Sequence, residues 1–142
     1  MSVTQISVSV ENKPGALHSI CDIFENESIN IKGIMASTAL SPVQVHFILD
    51  NPVKAEKVLK SKGYNVVTKE VLAVGTPDHP GGLNAVLRPL IHEHINIETL
   101  FPFINPNGGD PIIILEVDKI KEAKKILQKN WIKTYSKEIY KS

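Results

Sequence analysis

The sequence predicts an α+β protein built from two β-α-β-β-α-β repeats packed side by side, each an antiparallel sheet with its helices on one face. Three observations carry that expectation. Apolar residues alternate with polar ones, switch to helical spacing and switch back, and the cycle runs twice. The stretch Glu11-Asn12-Lys13-Pro14-Gly15-Ala16-Leu17 returns as Pro77-Asp78-His79-Pro80-Gly81-Gly82-Leu83, an offset of 66 residues. The chain has 142 residues, 42% of them hydrophobic, enough for one ordinary domain or two small ones of about 70 residues each. Units that small bury little surface alone and are expected to pack together or dimerise.

Each element has a local reason. Ile6, Val8 and Val10 alternate with Ser7 and Ser9 as a half-buried strand. After the Pro14-Gly15 turn, Leu17, Ile20, Cys21 and Phe24 mark one face of a helix. Ile29-Asn30-Ile31 opens a second strand that runs to about Thr38, and Ser41-Pro42 punctuates a turn. Val43, Val45, Phe47 and Leu49 alternate as the third strand. Asp50 or Asn51 can cap the next helix, with Pro52 at its first position. Ala55, Val58 and Leu59 form its inner face, and Gly63 ends it. Asn65 to about Lys69 is the fourth strand, and Val71 to Val74 restarts the order.

The repeat is measurable. Helix face Leu17, Ile20, Cys21, Phe24 maps onto Leu83, Val86, Leu87, Leu90, and Asn30 maps onto Asn96, all at an offset of 66. Beyond the middle hairpin the offset is 68: Asp50 maps onto Asp118, Val58-Leu59 onto Ile126-Leu127, and Thr68 to Val71 onto Ser136 to Ile139. The two extra residues fall in Asn105 to Asp110, a turn-rich loop. Two domains follow, 1–69 and 70–142, with no linker between them. Joining the copies edge to edge covers a strand that otherwise invites pairing with another chain.

Net charge is +1 with a pI near 7.9, and Arg88 is the single arginine. That balance points away from nucleic acid and from membrane surfaces. Cys21 is alone, so no intramolecular disulfide is expected, and its place on an apolar helix face predicts a buried, inert thiol. The first ten residues alternate instead of forming an apolar block, which predicts a cytoplasmic protein.

The Pro-Gly stretches read as strand-to-helix elbows. Proline suits a helix's first turn, and glycine admits close approach to the backbone. A helix start offers free N–H groups and the positive end of its dipole to a carboxylate. A plain tight turn is the competing explanation. Other uses of a β-α-β-β-α-β unit leave signatures missing here. An RNA-binding sheet needs exposed aromatics, yet the first strand has none and Phe47 belongs to the inward set. Cysteine motifs for metal transfer or an iron–sulfur cluster are absent.

Glu-Asn-x-Pro-Gly-x-Leu, then a helix, then Ile-Asn-Ile resembles the ACT domain, a regulatory amino-acid-binding module with a ferredoxin-like fold. The likeness covers both repeats. It implies a site between adjacent domains, where the glycine loop of one faces the early second strand of its neighbour. Carried over by residue, Asn12, Gly15, Ala16, Leu17 and Asn30 contact the ligand in the first repeat, and Asp78, Gly81, Gly82, Leu83 and Asn96 match in the second. Val10 and Thr76 stand where serine-sensing members often carry histidine. Those departures, with Asp78 in place of Asn12, weigh against serine and against two equivalent sites. The resemblance implies a free amino acid as effector, bound at the domain interface. It also implies a homodimer and a partner enzyme of amino-acid metabolism, with no cofactor.

The tempting residues also have plain explanations. Asn30 and Asn96 can satisfy backbone groups at a strand start. His92 and His94 are two residues apart near a helix end and do not share a face, so no metal is expected. His79 fits a solvated turn and His46 the outward face of the third strand. Lys121, Lys124, Lys125 and Lys129 fit the wet face of the last helix, and the Asn107-Gly108-Gly109 loop a flexible hairpin connection. Trp131 falls where the first copy has Gly63. No catalytic constellation or phosphate-binding fingerprint is present. The expectation is a non-enzymatic regulator, with a ligand-free interaction subunit as the alternative. An enzyme using Asp78 and His79 is a weaker third option.

Overall fold

The computed structural model describes residues 3–37, 42–104 and 108–141. Elements run β1 (Val3–Val10), α1 (Ala16–Asn26), β2 (Ile31–Ser37), β3 (Val43–Leu49), α2 (Pro52–Ser61) and β4 (Asn65–Gly75). They continue as α3 (Gly82–His92), β5 (Ile97–Pro102), β6 (Ile112–Val117), α4 (Ile120–Lys129), β7 (Thr134–Tyr135) and a 3-10 helix, Lys137–Lys141. The chain divides into two compact units, Thr4–Lys69 and a second that runs from Glu70 onward and also takes in Val3, so the division falls inside β4 and at the start of β1. The expected turn at Ser41 and loop residues Asn105, Pro106 and Asn107 lie outside the described residues. So does the end of the second strand at Thr38.

In the first unit β3 pairs antiparallel with both β1 and β2, Ile6 opposite Phe47 and Ile34 opposite Phe47 on the other side. One sheet face carries Ile6, Val8, Val45, Phe47 and Leu49, and α1 and α2 close over it with Ile20, Phe24, Ala55 and Leu59. Phe24 meets Phe47 edge to face at 5.1 Å, so the third strand's aromatic is core, as its inward position required. Each such buried side chain contributes about 1.5–3 kcal/mol. On the helix-free face the cross-strand pair Ser7 and His46 is hydrogen-bonded, Oγ to Nδ1, at 2.7 Å.

The second unit repeats the plan. β6 pairs antiparallel with β4 and β5, and Leu72, Val74, Leu115 and Val117 pack against Val86, Leu90, Ala123 and Leu127 from α3 and α4. Both units carry a bulge at the same repeat position, at Lys32 between Ile31 and Gly33 and at Glu98 between Ile97 and Thr99. A bulge leaves no compositional mark, which is why the sequence did not announce it.

The last strand departs from the repeat. β7 is two residues long, pairing Thr134 and Tyr135 with Val74 and Ala73. The residues matched to Lys69–Val71 form the 3-10 helix instead. Ser136 turns the chain: its N–H and hydroxyl both donate to Glu138 Oε2, at 3.0 and 2.6 Å. That local bonding outcompetes the ladder.

All four helices end alike. Ser28, Gly63, His94 and Trp131 take positive φ of 55°, 87°, 59° and 56°. The next residue's N–H returns to the last turn, as Ile29 to Phe24, Tyr64 to Leu59, Ile95 to Leu90 and Ile132 to Leu127. These are Schellman closures, and one of the four has the glycine that the geometry favours. Asn51 Oδ1 caps α2 through the Lys54 N–H at 3.2 Å. Among the described residues, no helix is long and apolar enough to cross a membrane.

Candidate ligand-binding site

The two elbows share one geometry. Ala16 N–H donates to the Lys13 carbonyl at 3.3 Å and Gly82 N–H to the His79 carbonyl at 2.9 Å. Gly15 (φ 84°, ψ −9°) and Gly81 (φ 83°, ψ −1°) are the helix N-caps. These are the dihedrals of the third residue of a type II turn, with Pro14 and Pro80 as its second. The prolines therefore preset the turn and precede the helix, rather than opening its first turn as the sequence suggested. Glycine is favoured at both positions because φ there is disfavoured for residues with a Cβ.

The turn also redistributes the anion donors. The N–H of Ala16 is engaged within the elbow, so among the described residues the next helix-start donors without a partner are those of Leu17 and His18, and in the second copy Leu83 and Asn84. Among the described residues no side chain caps α1 or α3. His18 and Asn84 were missing from the sequence-derived set. The readable signal was glycine at the N-cap, which leaves the next two N–H groups unserved.

Asn12, Gly15 and Leu17 are exposed in the first elbow and Ala16 is half-buried. In the second, Asp78, Gly81 and Leu83 are exposed and Gly82 is buried. A Cβ at Gly15 or Gly81 meets nothing within 4 Å among the described residues, whereas one at Gly82 falls 1.9 Å from the Pro77 carbonyl oxygen. The close approach at Gly82 is therefore made by the protein's own loop. Val10 and Thr76 are buried, and Thr76 binds the Pro111 carbonyl through both N–H (2.9 Å) and hydroxyl (3.3 Å).

Asn30 and Asn96 are exposed at the opposite end of each sheet. Val10 is opposite Val43, but Ile31 is opposite Leu49. The length of β3 separates elbow from asparagine, roughly 20 Å at about 3.3 Å per residue. One unit cannot bring both to a single small ligand. The asparagine backbones are braced: Asn30 N–H to Asp50 Oδ1 and Asn96 N–H to Asp118 Oδ1, each 3.0 Å. Return bonds run from Asp50 N–H to the Asn30 carbonyl (3.1 Å) and from Asp118 N–H to that of Asn96 (3.2 Å). Asp50 thus holds a strand start, and capping falls to Asn51. The asparagine amides themselves project from a fixed backbone.

Each elbow also borders a cleft within its own unit. In the first this is about 410 Å³, lined by Val10, Glu11, Lys13, Ala16, Gly63 and Tyr64. In the second it is about 220 Å³ and includes Gly75, Pro77, Ala85, Trp131 and Lys133. Glu11 and Lys13 pair at 3.2 Å across exposed surface, a contact worth at most about 1 kcal/mol. Cys21 is half-buried rather than buried, and its thiol is raised above the usual cysteine range by desolvation and then by Asp22. Among the described residues no group of three or more His, Cys, Asp or Glu is arranged to hold a metal ion.

A family model described as an ACT domain pair matches residues 1–140. No curated protein matches in sequence. Among solved structures, a Bacteroides thetaiotaomicron protein is 25% identical, with TM-score 0.91, over 100% of this chain and 98% of its own. The regulatory subunit of aspartate kinase from Thermus thermophilus, in a ligand-free form, is 15% identical with TM-score 0.64, over 92% and 93% of the two chains. A chain of the aspartokinase alpha and beta subunits is 18% identical with TM-score 0.60, over 90% and 91%.

Proposed function

We propose, from the premise that this chain belongs to the ACT domain pair family, that it is a regulatory protein that binds a free amino acid. The observation that carries this reading is the pair of elbows, each a left-handed glycine leading into an uncapped helix. Such a start attracts a carboxylate. The ligand's carboxylate is assigned to the N–H groups of Leu17 and His18. Its ammonium is assigned to an asparagine amide, Asn30 or Asn96, supplied by a different domain because the sheet length forbids the same one. Asn12 lies beside the first elbow. Asp78 in the second elbow favours the ammonium and opposes a carboxylate, so the first elbow is the primary site.

The functional unit is a homodimer whose packing shifts when ligand binds one arrangement better than another. The partner is an enzyme of amino-acid metabolism, by analogy of fold with the aspartate kinase regulatory subunits. No catalytic step is assigned to either domain. A second reading, a docking subunit that binds no small molecule, draws support from the second elbow, where Pro77 and His79 occupy the space and the N–H of Gly82.

Melting curves with each common amino acid separate the two. Ligand at about 100 times its dissociation constant adds about 2.7 kcal/mol of stability. Loss of one charge-assisted hydrogen bond is about 1.5–3 kcal/mol, so Asn12→Ala or Asn30→Ala weakens binding roughly ten- to hundredfold. If no amino acid raises the melting temperature, the sensor reading falls and the docking reading stands.

A further inference from the structure

Trp131 is the most exposed large hydrophobic side chain among the described residues. It is the sole tryptophan of the chain, it is 94% exposed, and it sits at φ 56°. Its N–H closes α4 onto the Gln128 carbonyl at 3.1 Å. The first repeat makes the same closure with Gly63, whose N–H reaches the Lys60 carbonyl at 3.0 Å. A Cβ is disfavoured at that φ, and an indole this exposed returns almost no burial to the fold. A residue held in a disfavoured conformation without a structural return points to function.

The charge around it is one-sided. Residues 119–141 hold eight lysines against Glu122 and Glu138, in a chain of net charge +1. In the first unit Lys13, Lys54 and Lys60 each pair with a glutamate. Among the described residues no ion pair involves Lys125, Lys129 or Lys133. Lys125 and Lys129 are one helical turn apart, a like-charge spacing that weakens a helix. Lys133 Nζ is held 4.9 Å over the Tyr135 ring. A cleft of about 490 Å³, lined by His92, Glu93, Lys125, Ile126, Lys129 and Asn130, adjoins the end of α4. The 220 Å³ cleft of Trp131, Ile132, Lys133 and Asp110 adjoins it too.

We propose that Trp131 with Lys125, Lys129 and Lys133 is a docking surface for an acidic segment of a partner protein. Partner carboxylates face the three ammonium groups, and one apolar partner side chain packs on the indole. Tryptophan is among the residue types enriched at the anchoring positions of protein interfaces, and the lysines steer the approach. Lysines in place of arginine forks disfavour a polyphosphate, and Glu93 and Asp110, which also line the clefts, confine the partner's carboxylates to the lysine side. The 220 Å³ cleft also borders the second elbow, so the inference is independent of amino-acid binding at the first elbow, the primary site, and not of binding at the second.

The test uses a short fluorescein-labelled peptide of glutamates around one central leucine, and its twin with glutamine for glutamate. Anisotropy is expected to show binding of the acidic peptide, lost as salt rises, while Trp131 emission shifts to the blue. Lys129→Glu with Lys133→Glu is expected to abolish binding. Trp131→Gly is expected to weaken it roughly tenfold yet raise the melting temperature, which separates a docking role from a structural one. Equal binding of the glutamine twin, or unchanged affinity in Trp131→Gly, overturns the proposal. So does tighter binding to heparin or phosphatidylserine vesicles than to the peptide, which would make the partner a polyanion or a membrane. A blue shift on concentrating the protein alone also overturns it, by making the occupant a second copy.

Discussion

Gly82→Ala is the sharpest probe of how the second elbow is built. The new methyl falls 1.9 Å from the Pro77 carbonyl oxygen and 2.9 Å from its carbon, roughly 1.5 Å inside ordinary contact for the oxygen and about 0.6–1 Å for the carbon. The obstacle is backbone, and the preceding residue, Thr76, is bonded to the Pro111 carbonyl through its N–H and hydroxyl. Overpacking costs about 1–3 kcal/mol, and a backbone obstacle belongs at the upper end. Alanine recovers about 0.5–1 kcal/mol in a helix relative to glycine, leaving a net loss of about 2 kcal/mol or more. Gly81→Ala is the control: its methyl is unobstructed, and the left-handed φ alone costs about 1 kcal/mol. Urea unfolding followed by far-UV circular dichroism measures both, because Trp131 is already exposed and its emission reports unfolding poorly. If Gly82→Ala loses less stability than Gly81→Ala, the loop does not pack on the helix start as described.

The helix ends give a prediction of opposite sign. Ser28→Gly and His94→Gly each gain about 0.5–1 kcal/mol, because both residues sit at positive φ in closures that favour glycine; unchanged urea midpoints refute this. The Glu138 carboxyl is held below the usual carboxylate range, first by the Ser136 hydroxyl and then by backbone N–H groups, with Lys133 adding a smaller effect. Its folded pKa is thus below the unfolded one. The contact favours the fold above the ordinary carboxylate pKa and is lost as pH falls through the lowered value. Ser136→Ala moves the titration midpoint of Glu138 upward in NMR, and an unmoved midpoint refutes the assignment.

The elbows show what a motif can and cannot carry. Pro-Gly at matching positions told where strand yields to helix, because proline fixes φ and glycine reaches φ beyond the range of other residues. It did not tell that the proline belongs to a type II turn. Either placement satisfies a residue without an N–H, and the deciding bond, Ala16 to Lys13, is made by backbone groups common to every sequence. Asn51 against Asp50 is a similar case: both can cap a helix, and the pairing of Asp50 with Asn30 across the chain settled the choice.

The sequence by itself determined the two repeats, their element order up to the last strand and the strands' inward faces, since apolar spacing is a property of neighbours along the chain; of the expected helix faces, Leu17 and Leu83 lie exposed at the helix starts. It also placed glycine at the two elbows. Only the tertiary structure decided that elbow and asparagine stand at opposite ends of each sheet. It likewise decided that Pro77 fills the space over Gly82, and that the last strand stops at Tyr135. Those facts depend on groups far apart in sequence meeting through space, and no local pattern encodes the distance between them.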